Sequence, residues 1–493
     1  MLKKTRIMEY GACYKIIEPN SDVENLLENL ETIDYHTRER IPLGYFYNKE
    51  KDTYSVPKGI GKAELFKHLK INKTHDGGFL DVGDRLIFKM RNNPFKKQSK
   101  IINNVFINFK RGDTQAIVDM PTGRGKTFAA IYLTHKLKRK PIIFVKNGRQ
   151  CKQWAEGFKN HTHINMNKVF IARGKSNVHF LFENGDDYDI FITTHRTVSN
   201  FIRDNGYKKL NQWFLSMGVN LKIFDEFDLA VENMLRIDCH SSFRYNLYLT
   251  ATPFKSGYYD NQVFKYAFKN VYQLGKDLYA NETPNRDAHI IFLKSNPTKK
   301  EKGKCYSYKN TGDKWEPFFD PDKYHKYIIK KKKILKSFLD IPMRDVKNKI
   351  KKYPNRKHIF FTGKIENCEI IKNLLVNDYN VKPSIIGIYN SDIDKSEKDK
   401  ALNQSIIISI SSSMGRALDI KNLETLIDME SYRSASIFIQ LIGRVGRVGG
   451  LRGKWYKMFD TSFYRNYFYY KSLKSYIHEE FDNIEYQKLP EIN

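Results

Sequence analysis

Between residues 92 and 270 the chain alternates short apolar runs with longer segments of mixed polarity. The runs "AIVDM", "PIIFV", "DIFITT", "LKIFDEF" and "YNLYLTATP" read as buried strands, and the segments between them as helices. That alternation predicts a parallel α/β sheet. A second series, "KHIFFTG", "SIIGIY", "SIIISIS", "LETLIDM" and "KWYKMFD", predicts a second α/β lobe. Residues 271–350 are rich in Lys, and "KYIIKKKKILKSFLDIPMRDVKNKIKKYPNRK" is expected to form one or two basic helices ahead of a strand. Near the C-terminus Phe463, Tyr467, Tyr470 and Ile477 recur at helical spacing, which favours core packing over base stacking. The division expected is an accessory domain over 1–90, a first lobe over 91–275, a basic connecting region over 276–345 and a second lobe over 346–493.

Charge changes the picture most. The 493 residues carry a formal charge of +30, and such an excess of cations draws phosphate backbones by releasing their counterions. A competing source of the lysines is A/T-rich coding, since Asn, Ile and Tyr are abundant too. The odd and scattered cysteines, Cys13, Cys151, Cys239, Cys305 and Cys368, argue for a reducing compartment and against a disulfide framework or a Cys-held metal. Any metal is then expected on oxygen. No run of eighteen apolar residues occurs and "MLKKTRIMEYGACYKIIEPNSD" has no apolar signal core, so neither a membrane span nor secretion is expected.

The most specific chemistry lies in "VDMPTGRGKTFAA", residues 118–130. The strict phosphate-loop pattern opens on Gly, and Met120 stands in its place. The physical requirement is looser: small residues at Gly123 and Gly125 let backbone N–H groups wrap a phosphate, and Lys126 supplies a cation. "TQAIVDM" before the loop reads as a strand. "KTFAAIYLTHKLK" after it has helical apolar spacing at Phe128, Ile131, Tyr132 and Leu137, so a helix N-terminus faces the phosphate. The Thr127 hydroxyl can ligate Mg2+.

Further along, "LKIFDEFDLA" sets Asp225 and Glu226 at a strand end, where one carboxylate can hold a metal and the other polarise water. "LYLTATPFK" places Thr250 and Thr252 at the next strand end. In "SIFIQLIGRVGRVGG" the spacing of Gln440, Arg444 and Arg447 gives them one face of a helix, so that two guanidiniums can meet one anion. A phosphate loop in one lobe and arginines in the other imply an ATP site closed by the γ-phosphate.

Taken in order, "MPTGRGKT", "DEFD", "LTATP", "SSSMGRALDI" and "QLIGRVGR" resemble motifs I, II, III, V and VI of superfamily 2 helicases, with "IIFVKNGRQCKQW" and "FITTHRTV" echoing motifs Ia and Ib. The resemblance implies two tandem RecA-like lobes with parallel sheets plus a small N-terminal accessory domain. It implies ATP and Mg2+ as cofactors, with Thr122, Gly123, Arg124, Gly125, Lys126 and Thr127 around the phosphates and Thr127 and Asp225 on the metal. Glu226 would be the catalytic base, and Gln440, Arg444 and Arg447 would act from the second lobe. Asp419 would couple nucleotide to the strand, and Thr250 and Thr252 would bridge the lobes. Gln98 stands where an adenine-reading Gln is found, with Lys97 in place of its usual aromatic neighbour, and Ala417 replaces a common Gly in motif V. Asn147, Arg149, Thr194 and Ser412 fall at nucleic-acid-contacting positions.

"LTATP" and Gln440 resemble the XPB, RecG, restriction-translocase and UvsW-like subgroup, which implies DNA, branched or forked, as partner. The expected function is an ATP-dependent DNA helicase or translocase of replication, recombination or repair, in the cytoplasm of a bacterial or phage-infected cell. An RNA helicase or transcript-releasing ATPase is the alternative within the same chemistry, and a nucleic-acid sensor with a vestigial ATPase the alternative outside it. "NKEKDTYSVPKGIGKAELFKHL" is similar to a Pro-Lys/Arg-Gly segment ahead of the motor in some phage and viral members, so residues 1–90 read either as a recognition domain or as a brace.

Overall fold

The computed structural model describes residues 5–19, 22–33, 40–69, 71–76, 85–121, 123–251, 258–279, 285–310, 314–414, 420–431, 435–446 and 451–491. The chain divides into two compact units, Met1–Asn281 and Glu282–Asn493.

The first unit is built on a seven-stranded sheet in the order Val169–Ala172, Ile190–Thr194, Pro141–Val145, Leu221–Asp225, Tyr245–Leu249, Gln115–Val118 and Tyr272–Leu274. Every neighbouring pair is parallel. The inner strands are mostly apolar because both faces are covered, with Lys222 and Asn246 as buried polar exceptions. Ile142 and Phe144 enter one core while Ile143 and Val145 enter another on the opposite face. The helices Lys126–Leu137, Gly148–His161 and His195–Ser216 connect successive strands.

Residues 5–76 carry a mixed five-stranded sheet, ordered Phe46–Asn48, Thr53–Pro57, Cys13–Ile17, Thr5–Tyr10 and Ile71–Asp76. Its apolar face is not self-contained. Ile7, Tyr14, Ile16, Val56 and Leu65 share one core with Phe144, Phe224 and Tyr248 of the seven-stranded sheet. The Pro-Lys-Gly segment is part of that junction: the Asn270 side-chain amide donates to Gly59 O at 3.2 Å and Ile60 O at 2.7 Å.

The second unit repeats the plan with Ile386–Tyr389, Ile406–Ser409, Lys357–Phe361, Leu423–Asp428, Gly453–Asp460, Arg286–Leu293 and Asn483–Lys488, again all parallel. Arg286–Leu293 falls within the span expected as a basic connection, yet it pairs on both sides inside this sheet. Its one apolar stretch, "HIIFL", is short and set among charges, so local pattern understates its burial. The basic helix Lys332–Lys352 does precede a strand, and Phe463, Tyr470 and Ile477 are buried in the second unit's core. Among the described residues no helix is long and apolar enough to cross a membrane. All five cysteines are buried and unbridged.

One buried ion pair holds the first unit across its layers. Lys222, on the strand that ends in Asp225, is fully buried and pairs with Asp238 of helix Val231–Cys239. Asp238 also accepts from Tyr248 Oη at 2.7 Å, and Gln115 Nε2 donates to Tyr248 Oη at 3.0 Å. Removing one partner strands a charge in the core, at a cost of about 3–5 kcal/mol. Asp238→Ala is therefore expected to lower the urea midpoint sharply, whereas Lys222→Met combined with Asp238→Leu recovers most of the loss. Equal destabilisation by the single and double variants would show that the pair's charge is not what matters there.

Candidate nucleotide and nucleic-acid site

Because the first sheet is parallel, its strand ends converge on one edge. Gln115–Val118 delivers the loop that contains Gly123 (φ 78°) and Gly125 (φ 85°), both in the left-handed region. A Cβ on Gly125 would lie 2.4 Å from Gln98 Nε2, so neither the conformation nor the space admits a side chain. Lys126 opens helix Lys126–Leu137, and its N-cap Gly125 supplies no side-chain cap. The dipole end of the helix is thus left to the loop, as an anion site requires. Lys126 Nζ donates to Met120 O at 2.8 Å and Pro121 O at 3.3 Å, which keeps the ammonium at the mouth of the loop. Met120 itself is buried in the core, so its side chain packs where the pattern asks for Gly.

Gln98 is buried and committed within the protein. Its Nε2 donates to Arg124 O at 2.9 Å and its Oε1 accepts from Phe95 N at 3.0 Å, tying helix Lys96–Arg111 to the loop. The Arg124 guanidinium lies 5.6 Å from the Tyr279 ring centroid.

Two strands away, Asp225 ends Leu221–Asp225 and Glu226 turns the chain with φ 52°. Each carboxylate is held by a residue that sequence patterns did not single out. Trp154 Nε1 donates to Asp225 Oδ2 at 2.9 Å, and Gln150 Nε2 donates to Glu226 Oε2 at 3.0 Å. Gln150 and Trp154 stand four apart on helix Gly148–His161, hence on one face, and that spacing was the available signal. Burial pushes the Asp225 carboxyl above its ordinary value, against the pull of Trp154 and Lys126. Burial, then the charges of Asp225 and Asp228, raise Glu226 to about 7. Thr250 Oγ1 donates to Asp228 Oδ1 at 2.7 Å, joining the end of the next strand to the same turn.

The cradle fits a nucleotide carrying Mg2+. Its glycines leave the loop amides accessible, and Thr127 and Asp225 offer two oxygen donors, few enough that phosphates would complete the shell.

On the same edge of the sheet, a cavity of about 640 Å³ is lined by Arg173, Lys175, Arg196, Arg203, Thr194 and Asp204 among others. It opens where Val169–Ala172 and Ile190–Thr194 end and the helices Gly174–Asn184 and His195–Ser216 begin. The four cations outnumber the single Asp204. Thr194 caps the second of these helices by accepting from Thr197 N at 3.2 Å. The Arg173 guanidinium lies over Gly148, where a Cβ would be 2.2 Å from Nη1. Asn147 caps that neighbouring helix, accepting from Arg149 N and Gln150 N at 3.1 Å. Asn147, Arg149, Arg173 and Thr194 are thereby gathered, two of them through helix caps.

In the second unit, Arg444 is buried in a turn rather than on a helix. Helix Ala435–Ile442 stops before it, and Arg444 N bonds Leu441 O three residues back, so Arg444 does not extend the helical face expected for it. Ser412 is exposed on the short helix Ser411–Met414, whose first N–H donates to Glu430 Oε1 at 2.7 Å. Burial and the nearby Asp428 raise Glu430 to about 7. Thr122, Thr252, Ala417, Asp419, Arg447 and the side chain of Gln440 lie outside the described residues.

Residues 91–255 match the family described as "Type III restriction enzyme, res subunit", and residues 331–449 match "Helicase conserved C-terminal domain". No curated protein sequence matches the chain. Among solved structures, Mss116p bound to ssRNA and AMP-PNP is 14% identical with a TM-score of 0.51, over 80% of this chain and 78% of that one. The helicase domain of Pyrococcus furiosus Hef is 15% identical with a TM-score of 0.47, over 77% and 98% of the two chains. T4 UvsW is 14% identical with a TM-score of 0.36, over 99% and 100%. The first unit carries the phosphate loop and the paired carboxylates, the second repeats the parallel sheet, and the two family models fall on them in that order; the chain belongs to the superfamily 2 helicases, which are nucleic-acid-dependent ATPases.

Proposed function

We propose that this helicase is an ATP-driven DNA motor that remodels branched DNA, by fork unwinding or branch migration, in replication, recombination or repair. The observation that carries the motor is the shared sheet edge, where a phosphate cradle, two braced carboxylates and a cavity with four cations follow one another. Hydrolysis in the cradle can then be felt in the strand-binding surface through elements a few residues long. The preference for DNA rests on "LTATP" and Gln440, which resemble the DNA translocases rather than the RNA helicases.

In this reading Lys126 exchanges its carbonyl partners for the outer phosphates, and Glu226 takes a proton from the attacking water while Gln150 fixes its carboxylate. Mg2+ held by Thr127 and Asp225 would neutralise developing phosphate charge. Asp228 and Thr250 link the carboxylate turn to the next strand, so a shift at Glu226 moves the residue expected to report to the second lobe. Arg444 and Arg447 are proposed to meet the γ-phosphate, and Asp419, Thr252 and Ser412 to couple it to the strand. Gln98 braces the loop and the adenine side of the site. Residues 1–90 are proposed to recognise junctions on the surface turned away from their shared core.

Lys126→Ala and Glu226→Gln are each expected to reduce ATP turnover by about 10²–10⁴-fold while leaving DNA binding intact, measured as phosphate release and fluorescence anisotropy. Near-normal turnover in either variant would put the nucleotide elsewhere.

Arg173→Ala and Arg196→Ala should weaken binding to all sequences alike and reduce the slope of log K against log salt by about 1 each. An unchanged slope would remove the cavity from the strand path.

Finally, forks and four-way junctions are expected to stimulate ATP hydrolysis more than linear duplex of equal length. Strong stimulation by RNA with no response to branched DNA would replace this assignment with an RNA helicase.

A further inference from the structure

The second unit carries an aromatic hairpin that none of the motor elements uses. Tyr306–Asn310 pairs antiparallel with Trp315–Phe319, between the strand Arg286–Leu293 and the helix Pro321–Ile328. In the register, Tyr306 faces Phe319, Tyr308 faces Pro317 and Asn310 faces Trp315. Alternation puts Tyr306, Tyr308, Phe319, Pro317 and Trp315 on one side of the ribbon. The root of that side is buried and the outer part is not. Phe319 packs against Tyr306, Tyr324, Phe463 and Tyr469, whereas Tyr308 is 65% exposed and Trp315 68% exposed.

An isolated two-stranded ribbon is marginal in water, and this one is fixed at its base. Ser307 Oγ donates to Asp320 Oδ2 at 2.5 Å, and Asp320 N donates to Cys305 O at 3.0 Å. Asp320 also caps helix Pro321–Ile328. On that helix, His325 Nε2 accepts from Ser431 N at 2.8 Å, beside the Glu430 that holds Ser411. The ribbon is therefore anchored through fixed contacts to the helix that carries Ser412.

Its surroundings are cationic. Residues 296–333 contain twelve lysines and five acidic residues, and Lys299, Lys300, Lys302, Lys304, Lys326, Lys330, Lys332 and Lys333 are exposed. Aromatic faces amid lysines suit a ligand with flat π systems on a phosphate backbone. Tyr308 and Trp315 are diagonal neighbours, a relation that spaces side chains by about 7–8 Å. Their rings therefore lie close enough to meet neighbouring bases of one strand.

We propose that the hairpin Tyr306–Phe319 is a stacking finger for unpaired nucleic-acid bases, with Trp315 and Tyr308 as its platforms and the adjoining lysines as the phosphate contact. It holds the single strand by its bases, where the cavity in the first unit meets only the backbone. The inference rests on the helicase reading and adds a binding site to it.

Trp315 allows a direct test, because Trp154, Trp213 and Trp455 are all buried. Titrating the full chain with oligo(dT), and in a second arm oligo(U), should quench the long-wavelength emission and protect it from acrylamide. Trp315→Phe should abolish the signal and keep binding. Tyr308→Ala with Trp315→Ala should weaken single-strand binding roughly tenfold, with an unchanged melting temperature. An abasic oligonucleotide should bind wild type and double variant alike. Response in one arm alone identifies the finger's strand as DNA or RNA. An oligonucleotide that binds by anisotropy without altering Trp315 emission overturns the finger and leaves the helicase reading intact. Absence of any nucleic-acid stimulation of the wild-type ATPase overturns that reading and the finger together.

Discussion

Parallel pairing is the constraint on which the rest of this molecule depends. In an antiparallel sheet successive strand ends alternate between edges, and the loop after Val118, the carboxylates after Phe224 and the threonine after Leu249 would be dispersed. Parallel pairing of Gln115–Val118 with Tyr245–Leu249, and of that strand with Leu221–Asp225, brings them to one edge. The arrangement requires crossover helices on both faces, so every strand must be apolar on both sides. Active-site geometry and core composition are thus one requirement.

Two fully buried lysines show how that requirement is relaxed. Lys222 replaces an apolar residue in the first sheet and is matched by Asp238, with Ser241 and Tyr248 completing the surroundings. Lys457 does the same in the second sheet, 3.0 Å from Asp428. Burial pushes the Lys457 ammonium below its ordinary value and the Asp428 charge counters it. Each pair ties a strand to a neighbouring element through a bond with one geometry, where an apolar contact would tolerate sliding. The pair in the first sheet also lies on the face shared with residues 5–76, so the N-terminal sheet and the motor strands are packed against the same polar cluster.

The carboxylates illustrate a different economy. Asp225 and Glu226 are both raised by burial, and each is oriented by one donor from helix Gly148–His161. That helix also begins under Arg173 at the edge of the basic cavity. A single helix therefore touches the two carboxylates through Gln150 and Trp154 and the cationic cavity at its start. In the second unit His325 and Glu430 play the corresponding part, binding backbone N–H groups near Ser412.

The sequence by itself determined the two parallel lobes, the phosphate loop, and the order of the motif residues, because strand burial and small-residue loops leave local patterns that need no partner to be read. The placing of Lys126 at a helix start and of Asp225 and Glu226 at a strand end was legible for that reason. What only the tertiary structure decided depends on pairs far apart in the chain. The membership of Arg286–Leu293 in the second sheet is set by Gly453–Asp460 and Asn483–Lys488, well over a hundred residues away. Gln150 and Trp154 look like ordinary helix residues until Glu226 and Asp225 meet them. The spacing of Gln440 and Arg444 suggested one helical face, yet helix Ala435–Ile442 gives way to a turn in which Arg444 N and Val445 N bond the carbonyls three residues back. Tyr308 and Trp315 lie in the Lys-rich stretch with no local pattern to mark them, and only the fold, which buries Phe319 and leaves them exposed, separates root from tip.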